Sequence, residues 1–380
     1  MAEANEHVIL GIESSCDETA AALVTREGRV RAEALASQVD LHAQFGGVVP
    51  EVAARIHIQA CLPLVHQVLE EAGVGWERVE AVAVTQGPGL IGCLLVGIET
   101  AKALAWLHRC PLVAVNHLAA HVYSIYLTPR QGAHLLIKAG NESNVVPVAP
   151  DPAGSSLSAE PAPVIARPAL PHVGLIVSGG HTSLVWVEGP DRMSTIAQTR
   201  DDAAGEAFDK VARAAGLGYP GGPAIDRLAE GGDPRAFDLP IPMMGRDQPD
   251  FSFSGLKTAA GREAERLKAQ YDGRLPEAVQ RDFCASFQEA AVESLLGKSL
   301  EAARGRGVHD LVVTGGVACN RGLRRRAREL TRSRPGLRVW FPHPSLCTDN
   351  AAMIAGLAWQ LQPLSPSDAL RLNADPGMGI

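Results

Sequence analysis

Paired cysteines are missing from this sequence. Its seven cysteines are scattered along 380 residues, and no two of them form a CxxC pair. This distribution argues against a disulfide framework and against a zinc ribbon, and it is typical of a protein with reduced thiols. We therefore expect a cytoplasmic protein.

Long apolar runs are also missing. Charged residues, glycine or proline interrupt every apolar stretch, and residues 1–7 are acidic and do not resemble a signal peptide. The sequence thus predicts no membrane span. A net charge of −7 argues against a broadly basic nucleic-acid-binding surface but leaves room for a local basic patch.

Three short turns of small and hydroxyl-bearing residues stand out among what is present. They are residues 12–19 (IESSCDET), 178–182 (SGGHT) and 314–320 (TGGVACN), and each follows an apolar run that predicts a strand. Such turns let backbone N–H groups approach a phosphate. Three of them, placed in two similar halves, indicate a nucleotide cleft between two domains. No Walker A lysine and no Ser-His-Asp arrangement is evident.

Hydrophobic periodicity predicts the same α/β unit twice. The first unit runs strand-strand-strand-helix-strand-helix-strand from Val8 to Val115, with a helix over 50–72, and a short helix follows from Asn116. Three strands restart at Val173, after which helices and strands continue to the final helix. This pattern implies two sheets covered by helices, with ligands at the strand ends.

A proline-rich segment, 128–171, separates the two units. Glycine, serine and alanine fill the spaces between its prolines, and we interpret it as an inserted linker largely without regular structure. The predicted organisation is one lobe formed by 1–127 together with 342–380, and a second lobe formed by 172–341.

Taken together, these motifs resemble the tRNA N6-adenosine threonylcarbamoyltransferase family of the bacterial TsaD type, formerly described as a glycoprotease or O-sialoglycoprotein endopeptidase. The resemblance covers nearly the whole chain outside 128–171. The matching segments are GIESSCDET (11–19), HAQFGGVVPEVAARIH (42–57), TQGPGLIG (85–92), LIVSGGHT (175–182), DDAAGEAFDK (201–210), YPGG (219–222), DFSFSGLKT (250–258), GGVACN (315–320) and TDNAAMIA (348–355).

The resemblance implies the two-lobed α/β fold shared by actin, Hsp70 and sugar kinases (the ASKHA fold). It implies an acyltransferase that moves a threonylcarbamoyl group from L-threonylcarbamoyl-AMP to N6 of the adenosine 3′ of the anticodon. The tRNAs are those that read ANN codons, and AMP is released. The implied partners are tRNA, a TsaB-type paralogue and a TsaE-type ATPase.

A metal site is the first feature that the resemblance adds. His117 and His121 stand four residues apart on a predicted helix, so both imidazoles face one side. Such a pair alone is more often two unrelated histidines than a ligand pair. By resemblance, Asp349 completes the site, and we expect Fe²⁺ or, as the alternative, Zn²⁺. Between the two histidines, residues 118–120 are Leu-Ala-Ala, whereas the family motif is usually HxEGH. An HExxH peptidase requires a glutamate directly after the first histidine, and this chain has Leu118 there.

The resemblance also assigns residues to the substrate nucleotide: Ile176, Val177, Ser178, Gly179, Gly180, Asp209, Gly222, Asp226 and Asn320. Simpler interpretations exist for several of them. The glycine pair also suits a plain hairpin turn, Asp209 a solvated helical acid, and Asn320 a helix N-cap.

Two carboxylates are candidate catalytic residues. Glu13 and Asp17 flank the first turn and are expected to face the cleft, where they could position the metal or orient the attacking amine. Alternatively, they cap and solvate the turn. The mechanism we infer is positioning plus Lewis-acid polarisation, without a covalent enzyme intermediate.

Nucleic-acid contact has two candidate regions. Arginines crowd one predicted helix and its exit, with Glu329 as the only acid among them, so a phosphate contact competes with a solvated face. Residues 42–57 equally suit a tRNA lid or a partner surface. Two rival functions share the fold, namely a sugar or acetate kinase and a nucleotide-dependent scaffold, and neither gives the His117–His121 pair an obvious role.

Overall fold

The computed structural model describes residues 6–130, 133–138, 144–147, 167–242, 248–273 and 275–380. The strands are β1 (Val8–Glu13), β2 (Glu18–Thr25), β3 (Val30–Ser37), β4 (Val79–Gly87), β5 (Leu112–Asn116), β6 (Ala133–Lys138), β7 (Asn144–Pro147), β8 (His172–Val177), β9 (Thr182–Gly189), β10 (Arg192–Gln198), β11 (Asp310–Thr314) and β12 (Arg338–Phe341). The helices are α1 (Val39–Ala43), α2 (Pro50–Ala72), α3 (Ile91–His108), α4 (His117–Tyr123), α5 (Ala204–Ala214), α6 (Gly221–Leu228), α7 (Ser254–Gln270), α8 (Glu277–Gly305), α9 (Arg321–Ser333), α10 (Ala351–Ala358) and α11 (Pro366–Arg371).

The strands form two sheets with a shared order. The first sheet is ordered β3-β2-β1-β4-β5, and the second is ordered β10-β9-β8-β11-β12-β6-β7. Each begins with an antiparallel meander of three strands, and two parallel strands continue from the first strand of that meander. The predicted duplication of the α/β unit is therefore confirmed.

Local sequence explains the elements that frame the cleft. β1 and β8 are buried at every residue, as central strands covered on both faces must be. α2 has Pro50 in its first turn and ends at Gly73 in the left-handed region, with φ 62°. The predicted bounds of this helix are confirmed.

Two strands lie inside the proline-rich segment. β6 pairs with β12 and β7 pairs with β6, so both extend the second sheet. The expectation that 128–171 largely lacks regular structure is thus wrong for residues 133–138 and 144–147. The composition of a long segment conceals a short strand, and Pro147 is tolerated because β7 is at the edge of the sheet. Residues 148–166 lie outside the described part of the chain.

α3 is a largely apolar helix of 18 residues that is interrupted, as expected, by Gly97, Glu99 and Lys102. By length and composition alone, this helix could cross a membrane. One of its faces, which includes Leu94 and Ile98, is buried in the first lobe, while Ile91, Trp106 and Leu107 are exposed. The helix packs on the sheet as a core helix and leaves an apolar surface on its other side.

The late helix α10 packs on the first sheet. A Cβ built on Gly11 of β1 would overlap the carbonyl oxygen of Ala351 and lie 2.8 Å from the backbone nitrogen of Ala355. The backbones of β1 and α10 are therefore in direct contact. This contact brings the turn before α10 to the end of β1.

We expect Gly11→Ala to lower the free energy of unfolding by about 1–3 kcal/mol, because the added methyl group meets backbone atoms that cannot rotate away. Urea denaturation followed by tryptophan fluorescence measures the change. The matched control is Gly261→Ala on α7, where a Cβ meets nothing within 4 Å and alanine favours the helix. Equal midpoints for both variants would contradict a tight β1–α10 contact.

Candidate metal centre and inter-lobe cleft

Three side chains from distant parts of the chain meet at one point. His117 and His121 lie on consecutive turns of α4, and Asp349 lies just before α10. Asp349 Oδ1 is 3.1 Å from His121 Nε2 and 3.5 Å from His117 Nε2. One potential ligand atom from each residue lies within 4.8 Å of the others. The arrangement that the family resemblance implied is present, and we call it the metal trio.

The donor set of the metal trio fits a divalent transition metal. Two imidazole nitrogens and one carboxylate oxygen leave coordination positions open for a substrate oxygen or water. His117 also has the outer carboxylate partner that metal-bound histidines usually have, because its Nδ1 lies 2.9 Å from Glu13 Oε2. His121 Nδ1 is buried and has no hydrogen-bond partner among the described residues, so the two histidines are held differently.

Glu13 lies behind the metal trio and is completely buried. Its Oε2 also accepts a hydrogen bond from Thr85 Oγ1 at 2.6 Å, and its Oε1 accepts from the Ser15 amide at 2.6 Å. Burial raises the pKa of Glu13, but His117 and these hydrogen bonds outweigh burial and leave the pKa below its ordinary value. Glu13 does not face the cleft as expected. It orients His117 from behind.

The pKa values of Glu13 and the three residues of the metal trio depend on one another. Burial lowers the pKa of His117, but the carboxylates of Glu13 and Asp349 raise it to about 9. Burial raises the pKa of Asp349, but the two histidines hold it well below its ordinary value. Burial keeps the pKa of His121 below its ordinary value. A metal ion that binds here competes with the proton on His117.

A cleft of about 330 Å³ opens beside the metal trio. All three predicted turns contribute to its walls, together with the loop that precedes α3. The lining residues are Ser15, Cys16, Asp17, Glu18, Pro88, Gly89, Leu90, His117, Ser178, Gly179, Gly180, His181, Gly316, Thr348 and Asp349. The predicted convergence of the turns is confirmed, and Asp17 lines the cleft as expected.

The turn at 178–180 lies against the N-terminus of α5. The Gly205 amide donates to the Ser178 carbonyl oxygen at 3.2 Å, and a Cβ on Gly205 would lie 2.6 Å from that oxygen. A Cβ on Gly179 or Gly180, by contrast, meets nothing within 4 Å. The outer side of the turn is therefore open to an anion.

Ile176 and Val177, the first residues of the predicted substrate segment, are completely buried strand residues. They have only backbone atoms to offer a ligand. Their side chains belong to the core beneath the turn, so the ligand-facing part of the segment begins at Ser178.

The other predicted substrate residues lie on the second lobe and are not part of the cleft lining. Asp209 Oδ1 accepts from the Gly221 amide at 2.7 Å, and burial raises the pKa of Asp209 despite this bond. Gly222 has open space around its Cα. Asp226 accepts from the backbone amide and from Nε of Arg321, each at 2.9 Å, so its carboxylate already has a cationic partner.

Asn320 caps α9. Its Oδ1 accepts from the Leu323 amide at 2.8 Å, and its Nδ2 donates to Gln288 Oε1 at 2.7 Å. The N-cap interpretation is confirmed. The side-chain oxygen and one of the two N–H groups of the amide are therefore already hydrogen-bonded. The second N–H group remains for a ligand.

Sequence reasoning missed two titratable groups in the cleft. Burial, together with Asp17 and Asp349, raises the pKa of Glu18 to about 9. Burial, together with the two histidines of the metal trio, lowers the pKa of His181 to about 4, so His181 is neutral. Both residues lie inside segments that match the family motifs, and this match was the sequence signal that could have identified them.

Some arginines of the arginine-rich helix α9 already have acidic partners. Three of its arginines pair with acids that lie on α6, in the turn after α6, on α8 or on α9 itself. The pairs are Arg321 with Asp226 and Glu230, Arg325 with Glu289, and Arg326 with Glu293 and Glu329. A count along one helix cannot reveal partners on other helices. The solvated face with ion pairs describes these three arginines, and the phosphate contact stays a prediction.

Comparison with known proteins places these features in context. A protein-family model described as TsaD, tRNA N6-adenosine threonylcarbamoyltransferase, matches residues 29–149 and 156–356. A protein of that name from Symbiobacterium thermophilum is 45% identical and covers 99% of this chain and 98% of its own length. Another of the same name, from Bordetella petrii, is 46% identical over 92% of this chain and 89% of its own length.

Solved structures with low identity show the fold alone. Full-length HypF has a TM-score of 0.54 and 13% identity, and the match covers 93% of this chain and 55% of HypF. Component A of the (R)-2-hydroxyglutaryl-CoA dehydratase of Acidaminococcus fermentans has a TM-score of 0.50 and 15% identity, with 93% and 98% of the two chains covered. The predicted two-lobed ASKHA-type α/β fold is confirmed.

We expect Glu13→Gln to weaken metal binding about 10- to 100-fold, because the amide keeps the shape but not the charge that orients His117. Titration with Co²⁺, followed by visible absorption, measures the affinity. Glu80→Gln, on an exposed part of β4, is the matched control and should bind like the parent. Equal affinities in all three proteins would contradict the orienting role of Glu13.

Proposed function

The chain belongs to the tRNA N6-adenosine threonylcarbamoyltransferase family, and we propose that it modifies N6 of the adenosine 3′ of the anticodon in tRNAs that read ANN codons. The donor is L-threonylcarbamoyl-AMP and the products are N6-threonylcarbamoyladenosine and AMP. One observation carries the proposal, namely that His117 and Asp349 of the metal trio line the same cleft as the open turn 178–180.

The cleft has the groups that this reaction requires. In the proposed step, the adenine N6 forms a bond to the carbamoyl carbon, the bond from that carbon to the phosphate oxygen breaks, and N6 loses a proton. The backbone amides of Gly179 and Gly180 bind the phosphate. The adjacent carboxyl groups of Asp17 and Glu18 line the cleft and accept this proton.

The metal trio would hold a divalent ion, for which we propose Fe²⁺, with Zn²⁺ as the alternative. When bound, such an ion supplies Lewis-acid polarisation of a substrate oxygen. The chain's own contribution is to orient the ligands, through Glu13 behind His117 and through the packing of α10 on β1. The geometry, not a covalent intermediate, lowers the barrier.

The kinase and scaffold alternatives explain less of the site. Both share the fold, but neither requires two buried histidines beside an aspartate. The peptidase alternative lacks a glutamate next to His117, where Leu118 stands and packs into a hydrophobic cluster. A transferase uses the whole arrangement.

We also propose that the protein acts in the cytoplasm with a TsaB-type paralogue and a TsaE-type ATPase. The surface of α2 and α3 supports a protein partner, because these adjacent helices expose several large apolar side chains. They are Ile58, Leu62, Ile91, Trp106 and Leu107. Apolar groups exposed together in this way are typical of interfaces between proteins.

The transferase proposal is tested by reconstitution. The protein, unmodified tRNA, threonylcarbamoyl-AMP generated in situ and bacterial partner proteins should yield N6-threonylcarbamoyladenosine, detected by mass spectrometry after digestion. Asp349→Ala should reduce the product by about 100-fold or more, since it removes one ligand and leaves two histidines without their shared carboxylate.

Exposed Asp191→Ala on the β9–β10 turn is the control and should behave like the parent. Product from Asp349→Ala at the parental rate would remove the metal trio from the mechanism. No product from the folded parent, with a positive-control enzyme active, would reject the transferase proposal.

The partner surface is tested separately. Leu62→Glu should weaken association with the TsaB-type paralogue by about tenfold or more, because it places a charge on an apolar interface. Gln67→Glu introduces the same charge at another exposed position of α2 and should have little effect. Sedimentation or light scattering of the mixtures measures association, and equal binding by both variants would move the interface elsewhere.

A further inference from the structure

Residues 373–380 follow α11 and return across the first lobe to the cleft. They form no helix or strand, yet their backbone is held by specific bonds. The Asp375 amide donates to the Gln86 carbonyl oxygen at 3.0 Å, and Gln86 Nε2 donates to the Asn373 carbonyl oxygen at 3.3 Å. We call residues 373–380 the strap.

The strap lies directly on the loop 87–90, part of which lines the cleft. The Gly89 amide donates to the Pro376 carbonyl oxygen at 3.4 Å. A Cβ built on Gly87 would overlap the Asp375 carbonyl oxygen, so glycine alone permits the strap to lie this close. The position of this wall of the cleft therefore depends on the strap.

The strap is also bonded to the start of the helix that carries both histidines. Asn116 uses its two side-chain atoms for different tasks. Its Oδ1 accepts from the Ala119 amide at 2.9 Å and caps α4, while its Nδ2 donates to the Gly379 carbonyl oxygen at 2.9 Å. Asn116 precedes His117 in the chain, so one amide joins the strap to the metal trio.

The last residue of the strap reaches the seam between the lobes. Ile380 packs against a small buried hydrophobic cluster that combines side chains of α4 with side chains of the second sheet. The members of this cluster are Leu118, Val122, Ile176, Val185 and Val187. The strap thus touches the cleft loop, the start of α4 and the inter-lobe seam.

From these contacts we propose that the strap is a positioning element for the reaction and that Asn116 is a positioning residue. The strap holds the loop 87–90 and the start of α4 in position beside the cleft. Asn116 is bonded both to the strap and to α4, so it couples the position of the strap to the position of His117. The effect on transfer rests on the proposed function, whereas the effect on metal affinity does not.

The test uses substitutions in the full chain. Asn116→Ser keeps an oxygen that caps α4 but removes the amide donor to Gly379. Gly87→Ala displaces the strap from the loop, and Gly261→Ala, which meets nothing within 4 Å, is its control. For each protein we would measure Co²⁺ affinity, the kcat and KM of transfer, and the thermal midpoint.

We expect Asn116→Ser and Gly87→Ala to weaken Co²⁺ binding and to lower kcat about tenfold, with little change in the KM for tRNA. Gly261→Ala should match the parent. In the double variant Asn116→Ser/Gly87→Ala, the combined loss should be smaller than the product of the single losses, because both act through the strap.

Parental Co²⁺ affinity in both Asn116→Ser and Gly87→Ala would overturn the proposal, and so would losses that follow only a lowered thermal midpoint. The two proposals can fail separately. A parent without transferase activity whose Co²⁺ affinity still falls in both variants would reject the proposed function but retain the strap as a positioning element of the metal trio.

Discussion

One carboxylate oxygen, Oδ1 of Asp349, joins parts of the chain that are 228 residues apart, because it lies between the imidazoles of α4. Packing around the cleft holds Asp349 and α4 next to each other. α10 packs directly on β1 at Gly11, and α4 begins where Asn116 caps it. The two lobes then bring the turns of both sheets to the same place.

Burial of the metal trio carries a large desolvation free energy when no ligand is bound. His117 and His121 of the trio, and Glu13 behind them, are removed from water. The desolvation of such groups costs several kcal/mol per charge unless partners compensate. Here each carboxylate faces an imidazole, and Thr85 and the Ser15 amide satisfy the remaining oxygens of Glu13. A cluster of this kind persists where function requires it, since well-packed apolar residues would stabilise the fold at least as well.

Much of the fold follows from local sequence signals, and the site follows in part. The bounds of α2 could be predicted from periodicity and from Pro50, and the three turns from their glycines. The metal trio required the family resemblance, because nothing local connects Asp349 to α4. Long-range contacts explain what local signals could not show. The short strands β6 and β7 join an edge created elsewhere in the chain, the acids that pair with the arginines of α9 come largely from other helices, and the burial of Glu13 depends on α4 lying above it.

The anchoring of α4 has a consequence for how the molecule can open. The His121 carbonyl oxygen accepts a hydrogen bond from Thr314 Oγ1 at 2.9 Å, and Leu118 and Val122 pack against strands of the second sheet. The helix that carries two of the three ligands is therefore fastened to the second lobe as well as to the first. A hinge motion between the lobes that preserves these contacts pivots about α4, so the two walls of the cleft separate while the imidazoles stay near the axis of rotation.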